Sequence, residues 1–146
     1  MAATSVSGVP LRSEAFEAEV GGAVARCLLT AYADRLLVIV SQLGTLGSII
    51  SAERERVLGG GETYRVDTLL GPREQPLPEL CARQLAERLA AAGSYKPLLL
   101  CLALRRDALT RAGVAQVVAA VTQHAAAVLG ASSAPPAAQP QAPPPM

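Results

Sequence analysis

Apolar residues alternate with polar ones at a period of two through the first half of this chain. In the second half they recur about every fourth residue. Phe16, Ala18 and Val20 alternate with Glu17 and Glu19, the signature of a half-exposed strand. Gly21-Gly22 turns the chain into Val24–Tyr32, VARCLLTAY, which reads as a second strand because the glycine pair and Asp34-Arg35 leave room only for a short element. An amphipathic helix is the rival reading there. Leu36-Leu37-Val38-Ile39-Val40 is an uninterrupted apolar run with β-branched members, as expected of a strand covered on both faces. Gly44-Thr45-Leu46-Gly47 supplies permissive backbone before the extended Ser48–Ser51. Arg35–Ala52 therefore reads as a β-hairpin at the centre of a sheet. Glu53-Arg54-Glu55-Arg56, Val57-Leu58 and three consecutive glycines, Gly59 to Gly61, then read as a mobile loop. Tyr64, Val66, Thr68 and Leu70 alternate with Arg65 and Asp67 in a fifth strand that Gly71-Pro72 ends.

The period then lengthens. Pro76-Leu77-Pro78-Glu79 suits a first helical turn, where backbone N–H groups lack partners anyway. Leu77, Cys81, Leu85 and Leu89 form one stripe with Leu80 beside it, and Glu79 stands four residues before Arg83 in the order that favours an ion pair. Gly93 is a natural stop. Leu98–Leu104 is another aliphatic strand, returned to water by Arg105-Arg106-Asp107. A second helix is expected from Leu109 to Leu129, with Val114, Val117, Val118, Val121, Ala125 and Val128 on one face and Gly130 at its end.

Five strands, a helix, a strand and a helix define an α+β domain, an antiparallel sheet of about six strands covered by two helices. Its expected extent is 13–130, preceded by a flexible lead over 1–12 and followed by a disordered Pro/Ala-rich tail over 131–146. The charged strand Ala15–Val20 is either a pairing surface or a guarded edge.

Composition narrows the function. The chain is 51% hydrophobic but only 3% aromatic, so the core is aliphatic and lacks the stacking platforms of single-stranded nucleic-acid binders. Thirteen basic and twelve acidic residues leave a net charge of +1, which is no footprint for nucleic acid or an anionic membrane. Every basic residue except Lys96 is an arginine. A GC-rich coding sequence and arginine-based recognition of a partner's carboxylates both fit that skew, and composition does not separate them. Cys27, Cys81 and Cys101 are widely spaced within apolar stretches, as buried reduced thiols would be. With no signal-peptide pattern at the start and no apolar run of membrane-spanning length, a soluble cytoplasmic and also nuclear protein is expected.

Catalytic chemistry is not expected. His124, the one histidine, has only Thr122 and Gln123 as near neighbours and reads as a solvated or partly buried helix residue. One histidine and three scattered cysteines do not make a metal site, and no cofactor is expected. Gly44-x-x-Gly47 lacks the Lys-Ser/Thr of a phosphate loop. What remains is surface. The segment from Glu53 to Glu62 carries both charge signs on a glycine tether, and Glu53, Arg54, Glu55, Arg56 and Glu62 are the candidate partner-binding residues.

Three blocks, in order, resemble a known family. Leu36–Ser51 is similar to the central hairpin of proteasome assembly chaperone 3. Thr68-Leu69-Leu70-Gly71 leading to Pro76-Leu77 resembles its approach to the first helix, and Leu98–Leu104 with Arg105-Arg106-Asp107 resembles its last strand and exit. The resemblance spans roughly residues 20–128. It implies a non-catalytic chaperone of 20S proteasome assembly. Such a chaperone pairs with proteasome assembly chaperone 4, binds proteasome alpha subunits in the early alpha-ring, and shares the intermediate with the proteasome assembly chaperone 1–2 pair. Pro143-Pro144-Pro145-Met146 lacks the hydrophobic-Tyr-any ending used by other proteasome partners, so the folded body and the charged segment are the expected contacts. A small scaffold of longin or roadblock type in trafficking or signalling is the alternative.

Overall fold

The computed structural model describes residues 11–73 and 75–130. Most of the expected lead and the whole expected tail lie outside the described residues, and Arg12 already opens the first strand. The elements are β1 (Arg12–Val20), β2 (Ala23–Ala31), β3 (Leu36–Ser41), β4 (Ser48–Arg56), β5 (Glu62–Leu70), α1 (Pro76–Ala91), β6 (Leu98–Ala103) and α2 (Arg111–Ala125). A 3-10 turn, Arg106–Ala108, precedes α2, and a π-helical turn, Ala126–Gly130, continues it. The predicted strand over Val24–Tyr32 forms as β2, Ala23–Ala31, as its glycine-bounded length predicts.

The six strands make one sheet in the order β1-β2-β3-β6-β4-β5. Every neighbouring pair is antiparallel except β3–β6. The α+β class stands, with a mixed sheet. The expected central hairpin does not: β3 and β4 never pair, because β6 lies between them. It runs parallel to β3, from Leu36↔Leu98 to Ser41↔Ala103, and antiparallel to β4, from Ser48↔Leu102 to Ala52↔Leu98. The physical reason lies in the residues. LLLCLA is the most continuously apolar strand of the chain, and a central place satisfies both of its hydrogen-bonding edges while burying it deepest.

The segment between β3 and β4 is therefore a step across β6. Gln42 N donates to Ala103 O at 2.8 Å. Its side chain donates from Nε2 to Val20 O (2.8 Å) and Ala23 O (3.1 Å) and accepts from Arg105 N at 2.9 Å. One amide thus fastens the β1–β2 turn, the step and the β6 exit together.

Both helices lie on one face of the sheet, α1 over β4, β5 and β6 and α2 over β1 and β2. The core between them is aliphatic. Leu29, Val38, Val40, Ile50 and Leu100 from the sheet meet Leu85 and Leu89 of α1 and Val114, Val117 and Val121 of α2, all at most 1% exposed. Thr110 caps α2 by accepting from Gly113 N at 3.0 Å. Arg111–Leu129 has a mean hydropathy of 1.5 and is long and apolar enough to cross a membrane, contrary to the expectation that no run approaches that length. Its Val and Ala content serves packing: the stripe from Val114 to Val128 is buried within the domain. At the far end of α2, His124 stacks on Phe16 with ring centroids 3.7 Å apart and rings 7° from parallel. Its Nδ1 lies 3.0 Å from Glu14 Oε2. This histidine clips the last turn of α2 to the edge strand β1.

Two glycines in the step differ in what they permit. Gly44 and Gly47 both have positive φ, 74° and 67°. A Cβ at Gly44 meets nothing within 4 Å, whereas one at Gly47 would sit 2.2 Å from Leu102 O. Gly44→Ala is expected to cost only the left-handed penalty of about 1–2 kcal/mol. Gly47→Ala must also push β4 off β6, so its thermal midpoint should fall below that of Gly44→Ala by about 4 °C or more. Equal midpoints in calorimetry would show that the step does not lie against β6.

Candidate functional site

On the face away from the helices, the register sets side chains in transverse rows. Ala15, Leu28, Ile39, Cys101 and Ile49 are successive partners from β1 to β4. The adjacent row runs Ser13, Thr30, Leu37, Leu99, Ser51, Asp67. Its centre is thus a block of Leu28, Ile39, Ile49, Leu37 and Leu99, all only half-buried in the chain alone, around the buried Cys101. No helix covers this face among the described residues.

The rim of the block is polar. Glu17, Val24, Arg26, Ile39, Ser41 and Leu46 line a shallow groove on the β1–β2 side. Arg35, Ser51, Glu53, Arg65 and Asp67 line another toward β5, with Leu69 exposed beside them. Ser13 Oγ and Thr30 Oγ1 satisfy each other at 2.9 Å, so the buried Thr30 carries no unmet hydrogen bond. An apolar centre inside a hydrogen-bonding rim is the anatomy of a protein interface.

The five residues singled out from the sequence are brought together, though not on a mobile loop. Glu53–Arg56 form the second half of β4, Glu62 opens β5, and only Val57–Gly61 turn between them, closed by Val57 N donating to Gly61 O at 2.9 Å. The correction has a simple cause. An alternation of Glu and Arg has the period of a strand, and here it sorts charge by face. Glu53 and Glu55 share Arg65, at 2.9 and 3.1 Å, and Asp67 joins them at 3.4 Å. Arg54 lies on the other side, paired with Glu62 and stacked over the Tyr95 ring at 4.1 Å. The hydrogen bond that Arg54 donates to Glu62 is the main reason its guanidinium is held above even the usual arginine range. Arg56 is exposed.

Because β6 pairs with β4 only from Ser48 to Ala52, the β4–β5 ribbon runs on beyond the sheet as an arm, tipped by the fully exposed Leu58 (99%). Three carboxylates around one guanidinium leave the outer side of this arm acidic. Sequence reasoning found the arm's charges but missed Arg65 and Tyr95 as their partners. It also missed the apolar block, whose signal was present: aliphatic runs apolar on both faces, with only two helices to cover them.

A helix-backed sheet with an uncovered apolar face and a projecting charged arm defines a protein-docking platform. A profile of the family described as proteasome assembly chaperone 3 matches residues 38–124. Over 103 residues the chain is 30% identical to proteasome assembly chaperone 3 of Bos taurus, covering 68% of this chain and 84% of that one. The chain belongs to the proteasome assembly chaperone 3 family. The fold is also that of a chain from a crystal structure of a novel chaperone complex for yeast 20S proteasome assembly. The TM-score is 0.60 at 13% identity, over 80% of this chain and 99% of that chain.

The cysteines provide a test of how tightly this platform is packed. All three are free and buried. Burial pushes the Cys27 thiol up to about 11 and the Cys81 thiol up to about 12, and raises Cys101 as well. In the unfolded chain a thiol ionises near 8.5. Between that pH and the folded values, the unfolded state has lost protons the folded state keeps, so stability falls as pH rises. Below about pH 8 the contribution is fully present. Melting midpoints should hold to about pH 8 and decline through pH 9–11, less steeply in Cys27→Ala. Ellman's reagent at neutral pH should titrate the thiols only in denaturant, and rapid labelling of the native chain would contradict this packing.

Proposed function

We propose that this chain is a non-catalytic chaperone of 20S proteasome assembly that works as one half of a pair. The observation that carries the reading is the missing layer: β3 and β6 are apolar on both faces, yet among the described residues helices cover only one. A second sheet of related fold supplies the other cover by face-to-face packing. Proteasome assembly chaperone 4 is the partner that family membership supports.

With that face occupied, alpha-type subunits of the early alpha-ring are held by what stays outside it. The β4–β5 arm is the first such element. Glu53 and Glu55 present an acidic surface around Arg65, while Arg54 and Glu62 brace the arm from the other side, where Arg56 is exposed. A basic patch on an alpha subunit is the complementary surface, and contact there steers encounter and is screened by salt. The proteasome assembly chaperone 1–2 pair shares that early alpha-ring intermediate. Three reduced thiols suit work in the cytoplasm.

The test uses the full chain with recombinant proteasome assembly chaperone 4 and purified alpha subunits. Leu37→Glu with Ile39→Glu should weaken chaperone pairing by about a hundredfold or more. The isolated chain should still melt cooperatively. Glu53→Lys with Glu55→Lys and Arg56→Glu should leave pairing intact and weaken alpha-subunit capture about tenfold at low salt. Pairing that survives the face variant overturns the first assignment, and capture unchanged by the arm variant overturns the second.

A further inference from the structure

Glu79 and Arg83 are spaced for an ion pair along α1, but the structure does not form it. Glu79 turns to the sheet instead, where Thr68 Oγ1 donates to its Oε2 at 2.7 Å. This bond satisfies the buried Thr68 and leaves Arg83 without an ion-pair partner among the described residues. Arg111, at the start of α2, likewise has no ion-pair partner among the described residues. The two arginines line one cleft of ≈ 380 Å³, whose apolar surface comes from Val66, Leu77 and Leu80. Val66 faces the helices, in the same set as its β4 partner Ala52. The cleft therefore opens on the helix side of the sheet, away from the uncovered face.

We infer that this cleft docks an acidic segment of a partner protein, a carboxylate flanked by a branched aliphatic residue. Two unpaired guanidinium groups against one carboxylate already committed to Thr68 make the cleft net positive. Arginine is the side chain that binds carboxylates with directed, charge-assisted hydrogen bonds. The α2 N-terminus adds a favourable dipole for an anion at Arg111. The apolar wall takes the neighbouring aliphatic side chain. The arginine-rich composition thereby acquires a specific use at two positions. Because the cleft lies behind the sheet, it is open while the uncovered face is occupied, and the inference does not depend on that pairing.

The probe is the acetylated, amidated peptide Gly-Ser-Leu-Glu-Leu-Gly, with its Gln counterpart as control, titrated into the isotope-labelled full chain by NMR. The acidic peptide should move the amides around Leu77, Leu80, Arg83 and Arg111 with saturation. R83Q, at a half-buried position, and R111Q, at an exposed one, should each weaken it by about tenfold. Ile39→Glu, on the opposite face, should bind it as the unmodified chain does. No saturable shift at these amides, equal binding of the Gln peptide, or full binding by both Gln variants would overturn the assignment.

Discussion

The contact on which the rest of the structure depends is the lodging of β6 between β3 and β4. It joins two antiparallel ribbons, β1-β2-β3 and β4-β5, into one sheet. An isolated two-stranded ribbon is marginal in water, so β4–β5 owes its place to β6. The connection that makes this possible is α1, which carries the chain from the β5 edge back over β4 to the centre. Leu100 is fully buried in that arrangement, paired with both Val38 and Ile50, which are buried with it. Gly47 and Gln42 follow from the same constraint. The backbone must pass the end of β6 closely enough to exclude a Cβ, and a side-chain amide ties the crossing to both neighbouring turns.

Lodging β6 in the centre also creates the docking face. A central strand has two faces to cover, and the described residues supply helices for one. Leu37, Ile39, Leu99 and Ile49 are left half-buried in rows that a second sheet can complete. Lining up apolar residues across four strands in register is costly for a monomer, since such a patch invites non-specific association. Its polar rim, with Glu17, Arg26, Glu53, Arg65 and Asp67, limits which surfaces can approach.

Much of this was legible in the residues, and the parts that were not have identifiable causes. Element identity followed from periodicity: the alternation at Phe16–Val20, the aliphatic runs at Leu36 and Leu98, and the stripes of both helices all reappear. Strand order did not, because Gly44-Thr45-Leu46-Gly47 has the composition of a tight turn whether or not the flanking strands pair. Only the long-range competition of β6 for the β3 edge decides that, and it leaves no local mark. The arm was misread for the opposite reason. Its mark was local, an alternation of charge, but alternation is usually sought in hydrophobicity. The Glu79–Arg83 pair shows a third limit, since correct spacing does not reveal that Thr68 competes for the carboxylate.

The division of surfaces constrains how such a chaperone can work. If one face of the sheet is closed by a partner, the helices still cover the other, and the elements left free are the arm and the helix-side cleft. Both are charged, and of opposite sign: the outer side of the arm carries surplus carboxylates around Arg65, and the cleft carries Arg83 and Arg111. Charged contacts of this kind favour fast, orientation-selective encounter over tight burial. A platform that must hold a client and then release it gains from that division. On the proposed reading, the apolar area, which slows dissociation, serves the partner that stays, and the screened charges meet the subunit to be released.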